Sequence, residues 1–339
     1  MKVLLVRMSS LGDVIHALPA VSDALAALPD LELDWVVEEA FVEIPAMHEG
    51  VRRTIPIALR RWRRNPTASV SPLAEFARGL RREQYDLIID AQGLLKSALV
   101  GLLARGPIAG LNWGSARESL ASLCYSRRFA VASNQHAVQR WRELFAQALG
   151  YQLPQTAPDF GLRGAGTRVA ESRLMFLHGT TWPSKHWPEE YWRELAALAC
   201  GAGYTVVLPG ATPAERERAQ HIAASVPGVE VLAAGGLASL AEEMRRCAGA
   251  VTVDSGPGHL AGAIGVPLIA LFGPTNPRLT APPGLATLTL ASNRLPCIPC
   301  VARECRLLQP GQSTPPCFDE YGPAAVWQAL DEKMRVNAQ

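Results

Sequence analysis

Three short segments of this 339-residue chain bring together the residue types that phosphate chemistry needs. In V-T-V-D-S-G-P-G-H-L, an apolar strand over 250–253 delivers Asp254 and Ser255 to its carboxyl end, and Gly256 and Gly258 allow close backbone approach. The helix that follows, carrying His259, would aim N–H groups and its positive dipole at the same point. A second apolar run, 268–272, returns through Gly273, Pro274 and Thr275. The plainer alternative is a strand, a Gly/Pro turn and a helix with Asp254 or Ser255 as N-cap. After the apolar run 174–177 comes H-G-T-T-W-P-S-K-H-W-P, in which Thr180 and Thr181 can donate hydrogen bonds and Lys185 supplies a point charge. It also reads as a polar loop with Trp187 in the core and Pro188 opening a helix.

The third segment, R-M-S-S-L-G-D over 7–13, follows an apolar run at 3–6 and places Asp13 where a carboxylate would sit at the mouth of a site. Asp13 equally fits the N-cap of a helix starting at Val14. The loop is no dinucleotide fingerprint, because G-x-G-x-x-G is absent. No D-x-D pair occurs either, so nothing indicates a carboxylate-held metal bridging a diphosphate. Lys185, helix N-termini and hydroxyls would neutralise a leaving diphosphate instead. A basic run, Arg60, Arg61, Arg63 and Arg64, and Lys96 after the D-A-Q-G loop suit an anionic acceptor or a phosphate-bearing membrane surface, or are simply solvated charges. Cys297, Cys300, Cys305 and Cys317 crowd one segment. Their spacing fits no zinc ribbon well, leaving metal, a disulfide or packed thiols open.

The elements that must hold these loops alternate. Apolar runs at 3–6, 33–37 and 87–89 interleave with helical patterns from Val14, around 74–82 and over 135–149, which implies a parallel sheet covered by helices. Val14, Leu18, Val21 and Leu25 share one helix face, with Pro19 expected to kink it or shorten its first turn. The Pro- and Gly-rich stretch 152–167 reads as a linker. Strands at 174–177, 204–208 and 229–232 and helices at 191–200, 214–224 and 237–247 follow, giving a second doubly wound α/β domain. Ligands are then expected at the carboxyl ends of the strands, in an interdomain cleft. With 33 Lys and Arg against 31 Asp and Glu, the near-neutral charge argues against a nucleic-acid partner. Neither a signal-peptide core nor a membrane-length apolar stretch is present, which predicts a cytoplasmic protein.

These motifs resemble the ADP-heptose:lipopolysaccharide heptosyltransferases, glycosyltransferase family nine, and most closely the members that add the first heptose. The likeness spans nearly the whole chain: M-K-V-L-L-V-R-M-S-S-L-G-D-V-I-H-A-L-P-A at the start, W-V-V-E-E-A-F, I-A-L-R-R-W-R-R, D-A-Q-G-L-L-K-S-A, Q-H-A-V, K-H-W-P-E-E and V-D-S-G-P-G-H-L. The resemblance implies a GT-B fold of two facing Rossmann-like domains: 1–160 binding acceptor, 168–322 binding the ADP-sugar, and a helix within 323–339 crossing back to the first domain. It implies inverting transfer of L-glycero-D-manno-heptose from ADP-heptose to a Kdo residue of Kdo-lipid A, at the cytoplasmic face of the inner membrane, without a cofactor or metal. Asp13 would be the general base. Ser10, Gly12, Thr180, Thr181, Lys185, Glu215, Asp254, Ser255, Gly256 and His259 would bind the donor, Glu215 at the ribose. Arg60, Arg61, Arg63, Arg64 and Lys96 would meet the acceptor. The cysteine segment is closer to members that add the second heptose, which keeps that transfer as an alternative. A nucleotide-sugar epimerase shares the two-domain layout, and a non-enzymatic sensor would bind ADP-heptose tightly without turnover.

Overall fold

The computed structural model describes residues 1–65, 70–162, 171–308 and 314–337. The chain divides into two compact units, Met1–Arg163 and Gly164–Gln339. The first runs β1 (Lys2–Val6), α1 (Leu11–Ala27), β2 (Glu32–Glu38), α2 (Glu43–Ala46), β3 (Val51–Ile57), α3 (Leu59–Arg64), α4 (Val70–Leu80), β4 (Leu87–Asp90), α5 (Leu95–Leu103), β5 (Ile108–Leu111), β6 (Arg127–Phe129) and α6 (Ala137–Leu149). Its sheet is ordered β3-β2-β1-β4-β5-β6 with every pairing parallel. Strand order reverses between β1 and β4, and a crevice opens beyond the carboxyl ends of strands at such a switch point. Helices cover both faces, so Val3, Leu4, Leu5 and Val6 are all buried.

Helix α1 begins at Leu11, three residues before the position expected from Asp13 as cap. Ser10 is the N-cap and Asp13 the third helical residue of a capping box, so the first turn forms earlier. Pro19 lies within the helix without ending it. Val14, Leu18 and Val21 are buried as their spacing predicts, and Asp23 on the same helix accepts 2.6 Å and 3.3 Å hydrogen bonds from Arg142 of α6. Strand β3 carries Arg52, Arg53 and Pro56, which hid it in the sequence. An edge strand tolerates proline, and both arginines reach Asp34 on β2, buried beneath them, at 2.8 and 2.7 Å.

The second unit runs β7 (Glu171–Leu177), α7 (Glu189–Gly201), β8 (Thr205–Leu208), α8 (Pro213–Ser225), β9 (Val229–Val231), α9 (Leu237–Arg246), β10 (Cys247–Val253), α10 (Gly256–Ile264), β11 (Leu268–Phe272), α11 (Pro277–Thr280), β12 (Thr287–Ala291) and α12 (Pro323–Asn337). Its sheet order, β12-β11-β10-β7-β8-β9, repeats the first topology, again all parallel, with the switch between β7 and β10. Both units are thus parallel-sheet α/β domains, doubly wound as the alternation in the sequence implies. Within the second unit helix α12 packs on the sheet: Val326, Leu330 and Met334 join the core of Phe176, Trp192 and Val251. Met334 and Leu330 lie where a side chain on Gly249 would sit, so the helix is seated tightly on β10. The linker expected over 152–167 extends past 162, outside the described residues.

Candidate active site

In the first unit the loops after β1 and β4 meet. Arg7, the residue after β1, is buried, and its guanidinium donates to the Ala91 carbonyl and, at 2.6 Å, to Oδ1 of Asp13. Its charge lies 4.3 Å from the Trp141 ring centroid. Burial pulls Arg7 below its ordinary value, and the Asp13 and Asp90 charges oppose that pull. The other Asp13 oxygen accepts from the Ser10 amide at 2.9 Å and the Ser10 hydroxyl at 2.7 Å. The Asp13 side chain remains 38% exposed against 5% for Arg7. A carboxylate is therefore fixed at the switch point with its open side toward solvent, so its capping role does not bury it. Ser10 turns its hydroxyl to Asp13, and Gly12 is buried within α1.

Asp90, last residue of β4, is fully buried and accepts from the Gln92 and Gly93 amides, the Ser97 hydroxyl at 2.8 Å and the Tyr125 hydroxyl at 2.7 Å. Burial raises its carboxyl above the usual range, against those four donors. Its work is to fold the 90–97 turn, from which Gln92 takes the Met8 amide and Lys96 projects into solvent. Arg60, Arg61, Arg63 and Arg64 lie on the exposed helix α3. There Arg61 pairs with Glu39 at 3.0 Å and Arg60 lies 5.1 Å from the Phe41 ring centroid.

In the second unit the loops after β7 and β10 meet in the same way. Lys185 Nζ lies 2.6 Å from Oδ2 of Asp254, which also accepts from the Thr275 hydroxyl at 2.6 Å. His259 Nε2 lies 3.8 Å from Oδ1 of Asp254, and Thr180 donates to the Asp254 carbonyl at 3.2 Å. Lys185 also sits 4.5 Å from the Trp182 ring centroid. Asp254 is thus the anchor of the cation, and an ammonium with three donors keeps capacity for an anion beside it. Ser255 caps α10 by accepting from the Gly258 amide at 3.3 Å. Gly258 is required for packing, since a Cβ there would lie 2.5 Å from Thr252 Oγ1. Gly256 begins α10, and Thr181 is exposed.

Glu215 closes the capping box of α8, its Oε2 accepting from the Ala211 and Thr212 amides at 2.9 and 3.0 Å. Its Oε1 lies 2.5 Å from where a Cβ on Gly179 would be, so only glycine brings the loop after β7 this close. Arg7 and Gln92 are the contributors that motif reading did not single out, whereas Thr275 lies in the returning segment that it did name. A charged or amide side chain one or two residues after a buried strand is the signal for these two, because burial obliges it to find a partner. All seven cysteines are free thiols. Cys297, Cys300, Cys305 and Cys317 line one cavity of about 20 Å³. Among the described residues no three His, Cys, Asp or Glu side chains are placed to hold a metal ion. Burial first, and then the neighbouring thiols, push Cys317 up to about 12.

Comparison with known proteins gives the family and the fold. The family described as glycosyltransferase family 9 (heptosyltransferase) matches residues 73–310. Lipopolysaccharide heptosyltransferase 1 of Pseudomonas aeruginosa is 47% identical over 98% of this chain and 97% of its own length. The E. coli heptosyltransferase WaaC solved with ADP superposes with a TM-score of 0.86 at 40% identity, over 98% of this chain and 100% of that one. Solved with ADP-2-deoxy-2-fluoro heptose, it gives 0.84 at 38%, over 98% and 99%. Lipopolysaccharide heptosyltransferase 2 of Salmonella typhimurium is more distant, 24% identical over 83% of this chain and 85% of its own.

Proposed function

This chain belongs to glycosyltransferase family 9, the heptosyltransferases, and on that premise we propose that it moves L-glycero-D-manno-heptose from ADP-heptose onto a Kdo residue of Kdo-lipid A. It is a glycosyltransferase of lipopolysaccharide inner-core synthesis. Asp13 takes the proton of the acceptor hydroxyl as that oxygen forms its bond to the anomeric carbon and the bond to ADP breaks, inverting the centre. Arg7 and Ser10 hold the carboxylate in one orientation for this step. Lys185, Thr180, Thr181 and the α10 N-terminus, with Ser255 and Gly256, take the charge that develops on the departing diphosphate. Asp254, Thr275 and His259 keep Lys185 in place, and Glu215 meets the ribose. Arg60, Arg61, Arg63, Arg64 and Lys96 receive the acceptor's carboxylates and phosphates.

The observation that carries this reading is the Asp13 carboxylate, clamped by Arg7 and Ser10 at the switch point yet open to solvent. No divalent metal takes part in the transfer, so adding Mg²⁺ to a metal-free reaction leaves the rate unchanged. Among the described residues no helix is long and apolar enough to cross a membrane, and the enzyme works at the cytoplasmic face of the inner membrane by surface contact. The deciding assay incubates ADP-heptose with lipid A bearing Kdo, with and without a preinstalled heptose, and reads products by mass spectrometry. One heptose is gained on the heptose-free acceptor. Gain only on the preinstalled acceptor would replace this reading with second-heptose transfer, and donor turnover without acceptor would replace it with epimerase chemistry.

A further inference from the structure

Helix α5 is built inside out. Its buried face is made of small residues, Ser97, Ala98 and Gly101 with Val100, and a Cβ on Gly101 would meet Ile108 at 3.4 Å. Its outer face carries Leu95, Leu99 and Leu102 at the i, i+4, i+7 spacing of one stripe. Beside it packs the 3-10 turn Ser119–Cys124, joined through the Glu118 carboxylate, which takes the Leu95 amide at 2.7 Å. That turn buries Ala121 and Ser122 and directs Leu120 and Leu123 outward. The five leucines are between 39% and 63% exposed. Single exposed leucines are ordinary, but two adjacent rows form a patch of the sort that marks a binding surface.

The surrounding charge says what it binds. Residues 91–131 hold five basic side chains, Lys96, Arg105, Arg117, Arg127 and Arg128, against one acidic, Glu118. Arg81 donates to the Leu103 carbonyl at 3.2 Å, Arg105 to the Arg81 carbonyl at 3.5 Å, and Arg128 to the Ser122 and Tyr125 carbonyls at 2.8 and 3.1 Å. These bonds go to neutral oxygens, so the positive charge around the patch persists. An apolar centre with a cationic rim matches the acyl boundary and anionic headgroups of a bilayer. The ridge also starts at the switch point, since α5 follows the turn folded by Asp90.

We propose that the leucine ridge of α5 and the 119–124 turn is the surface on which the first unit docks to an anionic lipid bilayer. This rests on the reading that the acceptor is lipid-linked. Docking there keeps the acceptor's lipid in the membrane while its sugar reaches the edge that carries Lys96 and Asp13. A basic cluster such as that of α3 would give mainly salt-sensitive attraction, whereas the ridge adds apolar contact that salt does not screen.

The test uses the full chain and vesicles of phosphatidylethanolamine with phosphatidylglycerol, without donor or acceptor, so its outcome is independent of the transfer assay. Leu99→Ser/Leu123→Ser weakens vesicle binding by about tenfold or more. It lowers transfer to a bilayer-embedded acceptor in parallel and leaves transfer to the deacylated acceptor unchanged. Arg81→Glu/Arg105→Glu weakens binding to these vesicles but not to purely zwitterionic ones. Leu99→Trp is quenched by brominated acyl chains, a readout that needs no loss of binding. Wild-type pelleting by the serine variant, or an unquenched Trp on vesicle-bound protein, overturns the proposal. So does a wild-type dimer that the serine pair dissociates, which would make the occupant a second copy of the chain.

Discussion

The two units share one topology and one kind of ion pair at the switch point, yet they present opposite signs to solvent. In the first, buried Arg7 (5% exposed) holds the more open Asp13 (38%). In the second, buried Asp254 (8%) holds the more open Lys185 (15%). The sheet order 3-2-1-4-5-6 places both pairs where the loops after the first and fourth strands meet. Topology therefore sets the location, and the partner that is less covered differs: an open carboxylate can accept a proton, and a half-buried ammonium can neutralise a departing diphosphate.

The comparison breaks most visibly when each exposed partner is removed. Asp13→Asn removes the base and leaves one acceptor oxygen where the carboxylate had two, so the bond from Arg7 or the one from the Ser10 amide is lost; kcat falls by about 10²–10⁴ while ADP-heptose affinity, measured by calorimetry, stays within twofold, about the precision of such a comparison. Unchanged transfer by this variant would remove Asp13 from the chemistry. Lys185→Met has a double consequence. Transfer falls by about 10²–10³, and Asp254 is left without its cation, which costs on the order of 3 kcal/mol of stability read from urea midpoints. Adding Asp254→Asn to that variant restores the midpoint and not the transfer. If both recover together, the pair is structural only.

Much of this was legible in the sequence, and the limits have physical causes. Central strands β1, β4, β10 and β11 announce themselves as continuous apolar runs because both faces are covered. Edge strands β3 and β6 do not, since half-exposed Arg52, Arg53, Arg127 and Arg128 break the pattern. The phosphate-type turns were readable from Gly, Ser, Thr and Lys beside strand ends. The Lys185 to Asp254 pair was not, because only the parallel pairing of β7 with β10 brings those loops together. Ser10-x-x-Asp13 was a readable capping box that would have started α1 correctly. The destination of α12 depends on its buried face of Val326, Leu330 and Met334, which its sequence alone does not assign to either sheet.

A subtler contrast lies at the residue directly after the first strand of each unit. Arg7 stays charged against Asp13, whereas His178 is buried and pushed down to about 4, by burial first and the Arg218 charge second. A depressed histidine means that the unfolded chain binds its proton first. Stability is therefore full above the ordinary histidine value of about 6.5 and is lost as pH falls toward about 4, by about 3 kcal/mol in all. Acid acts on the second unit through this group, and Arg7 gives the first no counterpart. Urea midpoints at pH 7.5 and 5, with His178→Phe as control, check it: the control loses the part of the slope that His178 carries. An unchanged slope means that His178 already has its proton, or its partner, in the fold.

The smallest effect is the most discriminating. Each ion pair has one hydroxyl on its carboxylate, Ser10 on Asp13 at 2.7 Å and Thr275 on Asp254 at 2.6 Å. Ser10→Ala and Thr275→Val each remove one charge-assisted hydrogen bond, about 1–2 kcal/mol, or roughly 5- to 30-fold in whichever parameter the pair controls. If the buried partner positions and the exposed partner acts, the two deletions separate kinetically. Ser10→Ala loosens the base and lowers kcat with the donor KM unchanged. Thr275→Val loosens the anchor of the ammonium and raises the donor KM more than it lowers kcat. Should Ser10→Ala instead raise the donor KM, Ser10 contacts the nucleotide sugar directly, and the first switch point serves donor binding as well as proton removal.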